Sequence, residues 1–369
     1  MNPADFPVQN LPYGVFSVAG GPRHAGVALG DRILDLTTLG VCGGLFASGN
    51  LESLIAAGPE VWSETRHLLT ETIEGGDLHD HLVPMTEAVL HLPCPIGNYV
   101  DFFSSLEHAA NTGRILRPDT EPLTPNWRRL PIGYHGRARS IVIDGVPVRR
   151  PHGQRGPGDF GPTRRLDFEL EVGFITGPGL SLGTPVTASA AESHIFGLVL
   201  VNDWSARDIQ AWEAKPLGPF LGKSFATTIS PWVVPLAALA PHRVDPPPQH
   251  PPPLPYLTPA GKSIDLHLEA AINGTVVTRT NYRHLYWTMS QQLAHATSNG
   301  ANFGPGDLFA SGTVSGPTPD SRGCLLEITE NGQTGEYLRD GDTVTLTAWA
   351  GGDGQPRIGF GTCSGTVVA

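Results

Sequence analysis

A stretch of alternating acidic and apolar residues, Leu166-Asp-Phe-Glu-Leu-Glu-Val-Gly-Phe174, constrains this chain more than any other feature. Residues i and i+2 of a β-strand share a face, so Asp167, Glu169 and Glu171 are predicted to lie together opposite Phe168, Leu170 and Val172. Carboxylates stacked about 7 Å apart repel each other, and water or a cation must offset that repulsion. The stretch therefore predicts either a solvated strand face or one side of a site for a hard divalent ion.

The composition favours a turn-rich β protein. Glycine (45) and proline (35) together make up more than a fifth of the 369 residues, while the hydrophobic fraction of 40% argues against disorder. We therefore expect a mainly β (α+β) fold. The net charge of −11 argues against nucleic acid or an anionic membrane as the main partner and suits a protein with clustered carboxylates.

The cysteines and the apolar segments bear on the cellular compartment. The four cysteines form no Cys-x-x-Cys pair, so neither a zinc site nor a disulfide scaffold is indicated; they are Cys42, Cys94, Cys324 and Cys363. Scattered thiols suit a reducing cytoplasm. The N-terminal residues do not resemble a signal peptide, and no apolar run approaches the length of a membrane span. We expect a cytoplasmic protein with no membrane partner.

The chain divides into a small first part and a large second part. Residues 13–36 show short strand patterns separated by glycine turns, and residues 51–73 follow with helical periodicity. The segment His91-Leu-Pro-Cys-Pro-Ile-Gly97 interrupts both patterns and is interpreted as a linker. We therefore expect one domain over residues 1–95 and a second over residues 96–369.

The second part is expected to consist mostly of strands. These are predicted at residues 140–143, 166–176, 195–202, 264–272, 307–311, 324–329 and 343–350. Helices are predicted at 205–212 and 282–298, the latter with Gly300 just past its end. Seven prolines within residues 245–255 are compatible with a polyproline ligand for a partner domain or with a stiff surface loop.

Polar residues at strand and helix ends are candidates for a site. Asp203 follows the apolar run 195–201, where it could be a site residue or a helix cap. Arg207 and Gln210 are three apart on the predicted helix and offer planar groups to a carboxylate or carbonyl substrate. Lys223 and Thr227 lie in an apolar, glycine-bounded segment, where the lysine would offset nearby carboxylates.

Further candidates lie in loops and near helix starts. Asp101 offers another carboxylate or a helix cap, and His108 is a candidate general base or a structural histidine. Tyr134 stands in the loop Gly133-Tyr-His-Gly-Arg137, and Thr313 in a turn rich in hydroxyl and backbone N–H donors. The sequence contains neither a serine-hydrolase elbow in its strand–turn–helix context nor a Walker or Rossmann fingerprint.

Taken together, these segments resemble the fumarylacetoacetate hydrolase family. The matching motifs run in the family's order over residues 98–365, about three quarters of the chain. They are Asp101-Phe-Phe-Ser-Ser, Pro125-Asn-Trp, Leu130-Pro-Ile-Gly-Tyr-His-Gly-Arg137, Leu166-Asp-Phe-Glu-Leu-Glu171, Asn202-Asp-Trp-Ser-Ala-Arg-Asp-Ile-Gln210, Pro216-Leu-Gly-Pro-Phe-Leu-Gly-Lys-Ser-Phe225, Ala310-Ser-Gly-Thr313 and Arg357-Ile-Gly-Phe-Gly361.

The resemblance implies a fold and an activity. The fold would be a small N-terminal SH3-like β-barrel domain followed by a large catalytic β-roll domain, in a homodimer. The activity would be metal-dependent hydrolysis of a C–C bond in a 1,3-diketo acid, converting 4-fumarylacetoacetate to fumarate and acetoacetate in tyrosine and phenylalanine catabolism. An acylpyruvate or other β-diketo acid hydrolase of the same family is the alternative, and a noncatalytic metal-binding scaffold is a third interpretation.

The resemblance also implies residue roles, carried over position by position. The ligands of a Mg²⁺ or Ca²⁺ ion would be Asp101, Glu169, Glu171 and Asp203, with Lys223 and Thr227 at a second, Mg²⁺-associated site that shares Asp203. His108 would be the general base and Glu327 its orienting carboxylate. The groups that polarise or contact the substrate would be Arg207, Gln210, Lys223, Phe103, Arg117, Tyr134 and Thr313. Phe103 and Ala214 stand where the family has tyrosines, so the substrate preference is less secure than the chemistry.

Overall fold

The protein is mainly β with seven α-helices among the described residues, and the composition predicts the β content. The computed structural model describes residues 2–76, 78–352 and 354–369. Its first part contains β1 (Tyr13–Val18), β2 (His24–Leu29), β3 (Arg32–Asp35), α1 (Leu36–Leu39), α2 (Glu52–Ala57), α3 (Pro59–Gly75), β4 (Leu82–Pro84) and β5 (Ala88–His91).

The second part contains the remaining elements. Its helices are α4 (Leu106–Leu116), α5 (Arg207–Glu213), α6 (Met289–Thr297) and α7 (Leu325–Ile328). Its strands are β6 (Tyr99–Phe102), β7 (Gly133–His135), β8 (Ile141–Ile143), β9 (Val148–Arg149), β10 (His152–Gly156), β11 (Asp159–Pro162), β12 (Leu166–Asp167), β13 (Leu170–Thr176), β14 (Ile195–Asp203), β15 (Ser205–Ala206), β16 (Thr227–Ile229), β17 (Val234–Pro235), β18 (Arg243–Val244), β19 (Ser263–Ile264), β20 (His267–Ile272), β21 (Thr275–Asn281), β22 (Leu308–Ala310), β23 (Thr343–Gly352) and β24 (Gln355–Val368).

The first part is built on one antiparallel sheet in the order β4-β3-β2-β1-β5. The predicted helix over residues 51–73 is observed as two helices, because Gly58 adopts a left-handed φ of 90° and Pro59 begins a new helix. Tyr13 of β1 pairs with Val233 of the second part. The two parts therefore meet through backbone hydrogen bonds as well as apolar packing.

An eight-stranded sheet forms the centre of the second part, in the order β7-β6-β22-β13-β14-β16-β8, with β17 also paired to β14. Asp101 of β6 lies opposite Ala310 of β22, and Asp203 of β14 lies opposite Thr227 of β16. Glu171 lies on β13, between β22 and β14 in the sheet. This strand order brings acidic residues that are distant in sequence to neighbouring positions.

Strand β14 explains why the sequence 195–201 is apolar throughout. Leu198 and Leu200 are buried in a core shared with the second sheet, whose order is β21-β20-β23-β24-β9. Val199 and Val201 point the other way and are buried against the first part of the chain. A strand covered on both faces needs apolar side chains on both faces.

The alternation predicted for residues 166–176 is broken in the middle. Asp167 ends β12, which pairs with β15, whereas β13 begins only at Leu170. Glu169 lies between them and forms an isolated bridge with Cys324. The prediction that Asp167 shares a continuous strand face with Glu169 and Glu171 was therefore wrong.

Several further predicted elements differ from the structure. Residues 205–206 of the predicted helix 205–212 form β15, and the predicted strand 264–272 is divided between β19 and β20. Residues 324–329 were predicted as a strand, but α7 occupies most of this segment. Residues 282–298 were predicted as one helix, but a 3-10 turn at Tyr282–His284 is followed by extended Leu285, and α6 begins only after Thr288. The Thr288 hydroxyl and the Gln291 amide form a capping box that starts the helix there.

The proline-rich segment 245–255 runs irregularly over the surface beside α6. The Gln249 side-chain amide donates to the carbonyl of Tyr286 at 2.6 Å and to Oε1 of Gln291 at 2.9 Å. These contacts hold the segment against the residues at the start of α6. Among the described residues, none of the helices combines the length and the apolarity needed to cross a bilayer.

Candidate active site

Four carboxylates converge at one end of the strands of the central sheet. Asp101 is the penultimate residue of β6, Glu169 and Glu171 flank the start of β13, and Asp203 ends β14. Each offers one oxygen, and these oxygens all lie within 4.8 Å of one another. All four side chains are buried, none more than 5% exposed. Carboxylates that are this close together and this well buried from water repel each other strongly unless cations lie among them.

Two basic side chains supply part of that compensation. Lys223 Nζ donates to Glu169 Oε2 at 2.6 Å and to Asp203 Oδ2 at 2.5 Å. Arg207 is shared between Asp167 and Glu169, each at 2.8 Å. One lysine and one shared arginine leave at least two of the negative charges of the cluster uncompensated, which is the charge of one divalent cation.

Neutral hydroxyl groups complete the surroundings of the cluster. The Tyr134 hydroxyl donates to Asp101 Oδ2 at 2.8 Å and lies 3.1 Å from Asp203 Oδ2. The Thr227 hydroxyl donates to Asp203 Oδ1 at 3.1 Å. Asp101 Oδ1 and Glu171 Oε1 are buried and have no hydrogen-bond partner among the described residues. Two buried carboxylate oxygens without a hydrogen bond are unusual, and such oxygens are suited to binding a hard cation.

The pKa values of the cluster reflect burial first and neighbouring charges second. Burial, together with the neighbouring carboxylates, raises the pKa of Asp101 and of Glu171 well above the usual range. Burial also opposes the charged form of Glu169, but Lys223 and Arg207 outweigh it and lower the pKa of Glu169. Without a further cation, Asp101 and Glu171 are the carboxyls that would retain protons. A divalent ion would replace those protons, so the donor set fits such an ion.

A histidine–carboxylate pair lies beside this cluster. His108 is in the first turn of α4, where Ser105 caps the helix by accepting from the His108 backbone N–H. Its Nδ1 lies 2.6 Å from Glu327 Oε2, and both side chains are buried. Burial opposes ionisation of Glu327, but His108 and neighbouring donors outweigh it and lower its pKa. An ionised Glu327 fixes the proton on Nδ1 and leaves Nε2 free to accept one.

One cavity of about 350 Å³ opens onto both groups of residues. Its wall includes nine of the predicted site residues: Asp101, Phe103, His108, Tyr134, Glu169, Arg207, Gln210, Lys223 and Thr313. Arg207 Nη1 also donates to Gln210 Oε1 at 3.2 Å, as the spacing on α5 predicts. Ala214 lines the same cavity.

The other predicted site residues lie behind the wall or apart from it. Glu171, Asp203, Thr227 and Glu327 are buried beneath residues that line the cavity. Arg117 is elsewhere: it lines a separate cleft, and its Nη2 donates to the carbonyl of Pro122 at 2.9 Å. The structure therefore brings Arg117 close to neither His108 nor the carboxylate cluster.

Comparison with known proteins places this site in a family. A family model described as fumarylacetoacetate (FAA) hydrolase C-terminal matches residues 98–368, and one described as fumarylacetoacetase N-terminal matches residues 9–93. The chain belongs to the fumarylacetoacetate hydrolase family. Membership covers both parts of the chain, including the first part, in which no matching motif was identified.

Relatives within the fumarylacetoacetate hydrolase family extend over nearly the whole chain. A fumarylacetoacetase from Bos taurus is 47% identical and covers 99% of this chain and 96% of its own. A fumarylacetoacetase from Arabidopsis thaliana is 48% identical, with 98% and 96% covered. The solved structure of a Sphingobium maleylpyruvate hydrolase in complex with manganese(II) and pyruvate shares the fold, with a TM-score of 0.57, 17% identity and 97% and 99% covered.

Sequence reasoning missed the residues that hold the His108–Glu327 pair. Asn111 Nδ2 donates to Glu327 Oε1 at 2.8 Å, and the Ser315 hydroxyl donates to Glu327 Oε2 at 2.7 Å. Cys324 Sγ lies 3.3 Å from the same Oε2. The spacing of His108 and Asn111 on one helix was a usable signal, whereas Ser315 is an ordinary turn residue in the sequence.

Gly312 allows the turn beside Glu171 to form, and we expect Gly312→Ala to destabilise the protein. Its φ is 76°, its N–H donates to Glu171 Oε2 at 3.1 Å, and a Cβ would lie 2.0 Å from the Phe102 carbonyl oxygen. The matched control is Gly145→Ala, with φ of 83° and open space around the added Cβ. In both variants the positive φ should lower the free energy of unfolding by about 1–2 kcal/mol. In Gly312→Ala the clash should lower it by roughly a further 1–3 kcal/mol. Urea unfolding measures both, and equal losses would contradict the clash.

Proposed function

We propose that this protein hydrolyses a C–C bond of 4-fumarylacetoacetate and releases fumarate and acetoacetate. The observation that carries the proposal is that His108, paired with Glu327, and the carboxylate cluster face one cavity sized for a small diketo acid. Relatives named fumarylacetoacetase, alignable over nearly the whole chain, support this substrate. A noncatalytic scaffold has no use for a base held by an ionised carboxylate.

The cofactor is proposed to be Mg²⁺ or Ca²⁺. Asp101, Glu169, Glu171 and Asp203 would hold the ion, and Lys223 and Thr227 would adjoin it through Asp203. When bound, a divalent cation supplies Lewis-acid polarisation of the diketo group and charge compensation for the leaving carbanion. Hard cations prefer oxygen ligands such as these four. The manganese(II) in the maleylpyruvate hydrolase structure supports a divalent ion in this fold.

His108 is proposed as the general base. With Nδ1–H donated to Glu327, the Nε2 atom can take a proton from water as the water oxygen bonds to the carbonyl carbon. Glu327 then stabilises the imidazolium that forms. The C–C bond breaks with its electron pair on the departing carbon, and the imidazolium returns its proton to that carbon, so one water is consumed for each bond cleaved and His108 is restored.

Donors that line the same cavity are proposed to stabilise the developing negative charge. Arg207 and Gln210 present planar donors to the cavity from α5, and Lys223 presents an ammonium group beside the carboxylate cluster. Such donors act strongly because the site is dry and their positions are already set. Tyr134 and Thr313 are proposed as substrate contacts. Arg117 is proposed as a further contact that must move from its position at Pro122.

The finer description of the molecule also remains a proposal. The domain division at residues 1–95 and 96–369 is supported by the family matches to residues 9–93 and 98–368. We propose an SH3-like barrel for the first domain and a β-roll for the second, in a cytoplasmic homodimer. The pathway is proposed to be tyrosine and phenylalanine catabolism, where the reaction would be the last step.

A second candidate activity is hydrolysis of acylpyruvates or other β-diketo acids. The observation in its favour is that Phe103 and Ala214 line the cavity without a hydroxyl group. A missing hydrogen bond is worth about 0.5–1.5 kcal/mol, which is enough to change preference between related substrates about two- to tenfold.

One assay distinguishes these candidates. Loss of diketone absorbance is followed with Mg²⁺ or Ca²⁺ present, using fumarylacetoacetate and acylpyruvates in parallel. We expect the higher kcat/KM with fumarylacetoacetate. Turnover of acylpyruvates alone would reject the main proposal, and turnover of neither substrate by metal-loaded protein would reject both.

A further inference from the structure

A second, larger cleft of about 1050 Å³ lies on the outer side of α4. His108, Thr112 and Leu116 line the active-site cavity from one face of this helix. Glu107, Asn111 and Arg114 line the outer cleft from the other face. The two cavities are therefore separated by the thickness of a single helix, and that helix carries the proposed base.

The outer cleft is rich in arginine. Arg114, Arg117, Arg128 and Arg322 line it, against two glutamates. Within the described part of the chain, the first three make no ion pair: Arg114 donates to the Asn111 side chain, Arg117 to a backbone carbonyl, and Arg128 lies over the ring of Tyr286. Each guanidinium has five N–H donors, so these contacts leave most of them available.

Side-chain hydrogen bonds connect this cleft to the proposed catalytic pair. Arg114 Nη1 donates to Asn111 Oδ1 at 3.0 Å, and Asn111 Nδ2 donates to Glu327 Oε1 at 2.8 Å. Glu327 Oε2 accepts from His108 Nδ1 at 2.6 Å. A second connection comes from Arg322, whose Nη1 donates to the Glu327 backbone carbonyl at 2.7 Å. Two arginines of the cleft thus contact or support the residue that orients His108.

We propose that Arg114 and Arg128 of the outer cleft bind a small dianion, a dicarboxylate or a phosphate, and that the bound anion slows turnover through Asn111. Arginine forks match the geometry of both anions. An anion that engages Arg114 draws its N–H away from Asn111 Oδ1, which weakens Asn111 as a donor to Glu327, because linked hydrogen bonds polarise one another. Glu327 then holds His108 less firmly. The proposed binding at the cleft does not depend on the proposed function, whereas the effect on turnover rests on the proposed role of His108.

Calorimetry with substrate-free, metal-loaded protein tests binding, with succinate and inorganic phosphate as separate probes. We expect one site per chain and at least about tenfold weaker binding in Arg114→Gln/Arg128→Gln, as for loss of a charge-assisted contact. Arg23→Gln, an exposed arginine outside the cleft, should bind as the wild type does. Absence of binding, or equal binding by the double variant, would overturn the site whatever reaction the enzyme catalyses.

Steady-state kinetics test the coupling with any substrate that the enzyme turns over. Saturating anion should lower kcat about two- to tenfold in the wild type, the effect of one weakened hydrogen bond, with KM little changed. In Asn111→Ala the anion should still bind but no longer change kcat. An anion effect confined to KM would place the anion in the substrate cavity, and an unchanged response in Asn111→Ala would remove Asn111 from the connection; either result contradicts the proposal.

Discussion

Replacing His108 with asparagine is expected to lower kcat by about 10²- to 10⁴-fold, the range that a positioned general base contributes. Asparagine is polar and shorter than histidine, so it can occupy the space without titrating near neutrality. The substrate-holding groups on α5 and the carboxylate cluster do not depend on His108 for their contacts. KM should therefore change much less than kcat.

The comparison that makes this result specific uses a second histidine. His67 lies on α3 in the first part of the chain, with 76% of its side chain exposed. His67→Asn should keep wild-type kcat. Thermal unfolding of both variants separates catalytic loss from misfolding. Loss of a general base lowers activity by far more than about threefold. If folded, metal-loaded His108→Asn retained activity within about threefold of wild type, His108 would not be the base.

The uninterrupted apolar run 195–201 predicted β14 well, and the reason is physical. The run 195–201 is buried on both faces, so each position carries the same apolar requirement and the pattern depends little on neighbours. Asp203 could then be placed at the strand end. Local patterns could not predict its contact with Lys223, because that contact depends on how the segment after α5 returns to the sheet; the family resemblance suggested it.

The helix α7 shows where local patterns fail. Residues 324–329 form a short, mostly apolar run whose length and composition do not distinguish a strand from a helix. In the structure, Asp167 accepts hydrogen bonds from the backbone N–H groups of Leu325 and Leu326 at 2.7 and 2.9 Å, which stabilises the first turn of the helix. The stabilising group comes from a residue more than 150 positions away, so no window of sequence contains it.

The same contact explains the position of Asp167 within the acidic stretch. Its carboxylate is committed to α7 and to Arg207, and so it lies outside the group of four. Strand periodicity alone could not separate it from Glu169 and Glu171. The pairing of His108 with Glu327 was likewise beyond spacing arguments, since 219 positions separate them; the family resemblance suggested it.

Removal of divalent metal is expected to abolish activity and to reduce stability. At least two negative charges of the buried cluster lack a basic partner, and Asp101 Oδ1 and Glu171 Oε1 lack hydrogen bonds among the described residues. Chelator-treated protein should be inactive and should recover with Mg²⁺ or Ca²⁺. An ion at 100 times its Kd should raise the free energy of unfolding by about 2.7 kcal/mol, which calorimetry can measure.

The variant Glu171→Gln tests whether that ion is bound at the cluster. Glutamine preserves the size of the side chain but removes its charge. Changes to residues around the metal ligands already weaken metal affinity about 10- to 100-fold. We therefore expect Glu171→Gln to weaken metal affinity at least about tenfold. Glu64→Gln, at an exposed position on α3, provides the matched loss of one carboxylate and should leave the affinity unchanged. Metal titration followed by heat release measures both. Equal affinities would mean that the ion required for turnover is bound somewhere other than among Asp101, Glu169, Glu171 and Asp203.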